Sequence, residues 1–214
     1  MSEKKSSILT NTLVILIVTL VAVAGLAVVY QVTKEPIEQA EISAREKVYS
    51  SVFAEATGFT EIENAGALTE GIGEALVNAD LGGCSVDVAL TANGADGNVL
   101  GYVIAATSPN GYGGNIQVAV GISKDGVITG FDVISNSETA GLGSKCTAPD
   151  FTSQFAGKNA EILKYTKTGA VAENEIDAIS GATRTTNAVT QAVNSAIIFY
   201  QENFAGGNAE VKGE

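Results

Sequence analysis

Apolar positions change their period several times along the chain, and each change marks an element. From Ser6 to Thr33 no residue is charged, and Leu13 to Tyr30 is aliphatic apart from Thr19 and Gly25. At about 1.5 Å per residue, such a run crosses a hydrocarbon core about 30 Å thick. Beyond it Ile37, Ala40, Ala44, Val48 and Val52 recur at spacings of three and four, with Glu38, Glu41, Arg45 and Glu46 between them. This predicts an amphipathic helix from Lys34 to Phe53, kinked or started by Pro36. Gly58 to Gly83 shows no clear period. The period then falls to two: Val86 to Leu90 predicts a strand, and Val99 to Ala106 its partner across the turn signals Asn93-Gly94 and Asp96-Gly97. Asn115 to Ile122 and Val127 to Ile134 predict two more, joined by Ser123-Lys124-Asp125-Gly126 as a hairpin. Pro149 to Phe155 reads as a short helix. A final helix runs from about Thr185 to Asn203, packing Ala188, Ala192, Ser195 and Phe199, with Val189 and Ile198 widening the face. Phe204 to Glu214 is a polar tail. An antiparallel meander with helices outside it is an α+β fold.

Lys4 and Lys5 precede the apolar run, and Lys34 and Glu35 follow it. The excess of positive charge on the short N-terminal side places the N-terminus in the cytoplasm and the remainder outside. A cleaved signal peptide is the rival, but its apolar core runs about 7–15 residues, and Ala22 to Ala27 offers only a weak cleavage site. The expected organisation is a cytoplasmic N-terminus and transmembrane anchor over 1–33, in contact with lipid through residues 8–32. A helical linker packing on the domain follows over 34–57, then one extracytoplasmic domain over 58–204 and a flexible tail over 205–214. The protein is thus expected in the cell membrane, with a single pass.

Charge and composition narrow the chemistry. The formal charge is −12. Glu3, Lys4 and Lys5 together contribute one positive charge, so the part after the anchor carries −13. That disfavours nucleic acid as a partner. The chain has no histidine, and Cys84 and Cys146 stand apart. Ser-His and Cys-His nucleophiles and the common metal sites are excluded, so no metal is expected. The two cysteines are either buried thiols or a disulfide. No catalytic residue stands out, and redox chemistry would have to come from a bound cofactor.

Three glycine-rich loops fall between these elements: Pro109-Asn110-Gly111-Tyr112-Gly113-Gly114, Glu138-Thr139-Ala140-Gly141-Leu142-Gly143 and Ser180-Gly181-Ala182-Thr183. Each alone is an ordinary turn, and none sits in a βαβ pattern, which excludes a dinucleotide fold. The third stands before the last helix, whose start offers free N–H groups and partial positive charge to a phosphate. Two glycines flanking Leu142 suggest backbone held close to a planar ligand.

Asp177-Ala178-Ile179-Ser180-Gly181-Ala182-Thr183 resembles the flavinylation motif of covalent-FMN domains, in which the final threonine carries FMN through a phosphoester bond. The order of anchor, Gly-Tyr-Gly-Gly, Glu-Thr-x-Gly-Leu-Gly and Ser-Gly-Ala-Thr resembles the G subunits of Rnf complexes, membrane ferredoxin:NAD oxidoreductases coupled to ion transport. It is similar also to the C subunits of sodium-translocating NADH:quinone reductases (Nqr), which are usually longer. The resemblance implies an FMN-binding domain with covalent FMN on Thr183. It gives Ser180, Gly181 and Ala182 as the turn and Asp177 as the residue a flavin transferase reads. Glu138, Thr139, Gly141, Leu142 and Gly143 match the loop against the flavin, and Tyr112, Gly113 and Gly114 belong to the first loop. The chain departs from the family at Ala140, where proline is usual, and at Asn136, where histidine is frequent. The implied function is that of an electron carrier within a redox-driven ion translocase, without a complete active site of its own. Its implied partners are the other membrane subunits. The Nqr counterpart, a free-standing membrane-anchored flavoprotein and a cofactor-free anchored domain are the alternatives. A covalent tether would prevent cofactor loss outside the cell, and the −13 charge would lower the flavin potential as far as screening allows.

Overall fold

The structure, a computed structural model, describes residues 2–62 and 65–205. Apart from Ala205, the tail expected over 205–214 lies outside the described residues. Two compact units divide between Arg45 and Glu46. The first is the leading part of helix α1 (Ser2–Val52), which runs through Pro36 instead of starting there. Among the described residues it is the one helix long and apolar enough to cross a membrane. Leu13, Ile15, Leu16, Val21 and Val28 are all more than half exposed. Two hydroxyls in this apolar surface are satisfied within the helix: Thr19 donates to the Ile15 carbonyl at 2.7 Å and Thr33 to the Val29 carbonyl at 2.8 Å.

The second unit is built on a five-stranded antiparallel meander in the order β1 (Gly58–Glu61), β2 (Ser85–Asn93), β3 (Val99–Ser108), β4 (Ile116–Ser123), β5 (Ile128–Ser135). All four expected strands are present, and β2 extends well past Leu90. The unclear stretch before them resolves into β1 and two short helices, α2 (Ala65–Gly71) and α3 (Gly73–Asn78). After the sheet come a 3-10 turn (Gly143–Thr147), α4 (Pro149–Thr152), the parallel pair β6 (Lys164–Thr166) and β7 (Glu175–Asp177), and α5 (Thr183–Asn203). Both cysteines are free thiols, Cys146 buried and Cys84 half-buried.

The central strands bury both faces. Ile104 and Ala106 of β3 and Val118, Val120 and Ile122 of β4 share one core with α5, and Val103 and Ala119 face the other way. Helix α5 is buried over almost its whole length, a wider face than its periodicity implies. Its buried Asn194 is tolerated because its side chain accepts from the Leu163 N–H (2.8 Å) and donates to the Leu163 carbonyl (2.9 Å).

On the opposite face, the last turn of α1 lies on a patch of glycines. Tyr49, Val52 and Phe53 are buried there. A Cβ on Gly121 would stand 2.4 Å from the Val52 carbonyl oxygen, and one on the paired Gly130 would be 2.7 Å from it. Thr129 donates to that same oxygen at 2.6 Å. Because the obstacle is backbone, it cannot rotate away. Gly121→Val is therefore expected to destabilise the unit by about 3 kcal/mol. A lowered denaturation midpoint for the detergent-solubilised chain checks this; an unchanged midpoint contradicts the packing.

Candidate functional site

The meander brings the three glycine-rich loops to one end of the sheet. The first follows β3 and the second follows β5, where Ser108 pairs with Ile116 and Gln117 with Ser135. The third precedes α5, which packs across β3 and β4.

Glu138 ties them together. Its Oε1 accepts the Gly113 N–H at 3.0 Å, and its Oε2 accepts the Thr185 hydroxyl at 2.6 Å. One half-buried carboxylate thus holds the first loop, its own loop and the first turn of α5. The nearby glycines make room for it. A Cβ on Gly143 would lie 2.2 Å from Oε2 and 2.7 Å from the Thr185 Oγ1, and one on Gly111 would lie 2.7 Å from Oε1. The small size of Gly143 is required by this carboxylate. Gly141 is required by its left-handed backbone, φ +77°. Asn136 accepts the Glu138 N–H on its own Oδ1 at 3.1 Å and so shapes the loop. Around Ala140 the loop closes without proline: the Leu142 and Ser144 N–H groups donate to the Thr139 carbonyl, and the Gly141 N–H to the Ser144 Oγ.

A cleft of about 310 Å³ opens beside this clamp, lined by Tyr112, Glu138, Thr139, Leu142, Gly143, Gly181, Ala182, Thr183, Arg184 and Thr185. Tyr112 is 71 % exposed and Leu142 49 %, so both present apolar surface at the cleft. Of the residues expected at the site, Asp177, Ser180, Gly113, Gly114 and Gly141 do not line the cleft. Asp177 ends β7; its Oδ1 accepts the Ala170 N–H and its own N–H donates to Gln154 Oε1, both at 2.6 Å. Gly181, at φ +78°, makes the turn closed by the Ala182 N–H to the Ile179 carbonyl.

Helix α5 starts at Thr183, two residues before the expected Thr185, and no side chain caps it. The N–H groups of its first turn have no acceptor within the helix. Three hydroxyls stand there. That of Thr185 is buried and bonded to Glu138. That of Thr186 is buried, donates to the Ala182 carbonyl and accepts the Ile179 N–H. Thr183 alone of the three is half-exposed, and it lines the cleft.

Arg184 and Thr185 are cleft residues that the glycine-loop motifs did not single out. A signal existed for the first: Arg184 is one of two arginines in the chain and adjoins the motif. Cys146, close behind the second loop, is chemically quiet. Burial, and after it the negative charge of Glu138, pushes its thiol up to about 11. It is therefore protonated at neutral pH and serves as core.

The donor set fits FMN. Uncapped helix N–H groups suit a phosphate, a free hydroxyl adjoins them, and Leu142 and Tyr112 offer apolar surface to a planar ring. The family model of the FMN-binding domain matches residues 111–198, and that of the RnfG N-terminal region matches residues 1–52. The G subunit of the Na⁺-translocating ferredoxin:NAD⁺ oxidoreductase complex of Acetobacterium woodii is 33% identical over 197 residues, covering 88% of this chain and 89% of that one. The G subunit of the ion-translocating oxidoreductase complex of Methanosarcina acetivorans is 32% identical over 201 residues, covering 92% and 96%. In fold, the chain resembles the crystal structure of the C subunit of the Na⁺-translocating NADH-quinone reductase from Parabacteroides distasonis. The TM-score is 0.55 at 19% identity, over 78% of this chain and 96% of that one.

Proposed function

The chain belongs to the family of G subunits of ion-translocating Rnf oxidoreductase complexes, and we propose that it serves there as an electron carrier with FMN esterified to Thr183. The observation that carries the attachment is the state of the three hydroxyls at the start of α5: Thr185 and Thr186 are buried and bonded, and Thr183 is free at the cleft. Bound FMN supplies the electron-accepting and electron-donating ring that no side chain of this protein provides. The protein's part is position and electrostatics. The first-turn N–H groups of α5 receive the phosphate ester. Leu142 and Tyr112 shield the ring from water, and Glu138 fixes the loops that carry them. Gly181 shapes the exposed turn through which a flavin transferase reaches Thr183, with Asp177 and Ser180 as residues it reads.

The assignment extends to organisation and partners. Residues 1–33 form the anchor, 34–57 the helical linker, 58–204 the FMN domain and 205–214 the tail. Residues 8–32 contact lipid, the N-terminus is cytoplasmic, and the domain docks on other membrane subunits of the complex outside the cytoplasm. Sequence similarity across about nine-tenths of two Rnf relatives favours this assignment over the Nqr alternative.

Two measurements test it. Co-expressed with a flavin transferase, the purified chain is expected to be yellow and to give a fluorescent band after denaturation; a colourless chain contradicts the cofactor. Protease added to right-side-out vesicles is expected to digest the domain. Protection there, with cleavage only in inverted vesicles, reverses the topology.

A further inference from the structure

We propose that Arg184 is the cation of the flavin site, facing the bound mononucleotide and stabilising the negative charge it gains on reduction. The inference rests on the FMN assignment above and adds a residue and a role to it.

Arg184 is the second residue of α5 and lines the same cleft as Thr183 and Leu142. Among the cleft-lining residues it is the one cation and Glu138 the one anion. Both Glu138 oxygens are engaged, by Gly113 and Thr185, so that carboxylate is committed to holding the loops.

The arginine is braced from behind. Its Nε–H donates to the Asn110 carbonyl at 3.2 Å. Asn110 is held in turn: its Nδ2 donates to Gln191 Oε1 at 2.9 Å, and its N–H donates to Ser108 Oγ at 3.3 Å. Ser108, fully buried at the end of β3, closes the ring by donating to the same Gln191 oxygen at 3.2 Å. Gln191 lies two turns along α5 from Arg184, on the same side of the helix. The brace uses the inner nitrogen, so the donors of both terminal nitrogens are not spent on it and remain for a ligand. A neutral acceptor holds the side chain, so its charge remains available to a ligand.

A single cation matters here because of its surroundings. The chain after the anchor carries −13, which opposes addition of electrons to anything bound. Remote carboxylates are screened beyond about 8–10 Å, whereas a charge at the cleft acts at short range. Arg184 therefore offsets locally the field that the rest of the domain imposes. Lysine retains the charge but lacks the fork that allows bracing and ligand contact together.

The test is potentiometry on the full-length flavinylated chain at low salt. Arg184→Gln is expected to label as the wild type does and to be reduced less favourably by about tenfold, about 30 mV more negative for a two-electron couple. Arg184→Lys is expected to recover more than half of that shift, and added salt to shrink it. A wild-type potential in Arg184→Gln overturns the role of Arg184 and leaves the FMN assignment standing; a wild-type chain without flavin overturns both. Should Arg184→Gln escape labelling, the substitution is made in a Thr183→Val chain and titrated with free FMN. Loss of the guanidinium is then expected to weaken binding about tenfold, and equal affinities overturn the proposal.

Discussion

Thr183→Val leaves the chain folded and without covalent flavin. Valine reproduces the shape of threonine, and the first position of α5 makes no hydrogen bond that its side chain must supply, since no side chain caps the helix. What disappears is the one hydroxyl of the first turn that is free to form an ester. Fluorescence of the denatured band is expected to fall to background. Thr183→Ser retains a hydroxyl at the same place and is expected to keep part of the label. Thr185→Val removes a hydroxyl that is already bonded to Glu138, so label is expected to persist while the clamp loosens. A fluorescent Thr183→Val band contradicts the assignment of the attachment site.

Glu138→Ala separates attachment from positioning. The Thr185 hydroxyl, in a residue 1 % exposed, loses its acceptor, and the Gly113 N–H loses a charged one. The expected loss of stability is about 2–3 kcal/mol. The Asp177 to Thr183 segment is untouched, so the variant is still expected to be labelled. Its flavin should be more open to a soluble quencher, and ferredoxin-dependent NAD reduction by the assembled complex should fall roughly hundredfold, the cost of a small displacement of a reacting group. Gly143→Val is expected to act alike, because its Cβ would enter the space of the same carboxylate. Glu138→Gln should fall between Glu138→Ala and the wild type, since its amide offers one accepting oxygen for two donors. Wild-type quenching and turnover in Glu138→Ala would show that the carboxylate does not hold the site.

The contrast between loops and clamp shows what a linear reading reaches. The meander is legible because the alternation of Val86 to Leu90, the short apolar runs after it and the Asn-Gly and Asp-Gly turns are local signals. Periodicity places the start of α5 two residues late because Thr183 and Arg184 precede the first apolar position and carry no side-chain cap. The Gly58 to Gly83 stretch hides β1 and two short helices in a composition that favours neither period. β6 and β7 are three residues each and pair in parallel, too short for any pattern to register. The glycine-rich loops are visible as candidates, yet the reason for Gly111 and Gly143 is not. They accommodate a carboxylate whose partners lie 25 and 47 residues away along the chain, and only the folded meander brings those partners to one point. The brace of Arg184 is hidden for the same reason, since it joins the end of β3 to the middle of α5.

The most direct measurement is the mass of one peptide. Trypsin cuts after Lys167 and Arg184, releasing residues 168–184 with Thr168, Ser180 and Thr183 as their only hydroxyls. From a chain matured with a flavin transferase, that peptide is expected to be heavier by one FMN less one water, with fragment ions placing the addition on Thr183. An unmodified peptide, or a flavin on Ser180 or Thr168, would contradict the account.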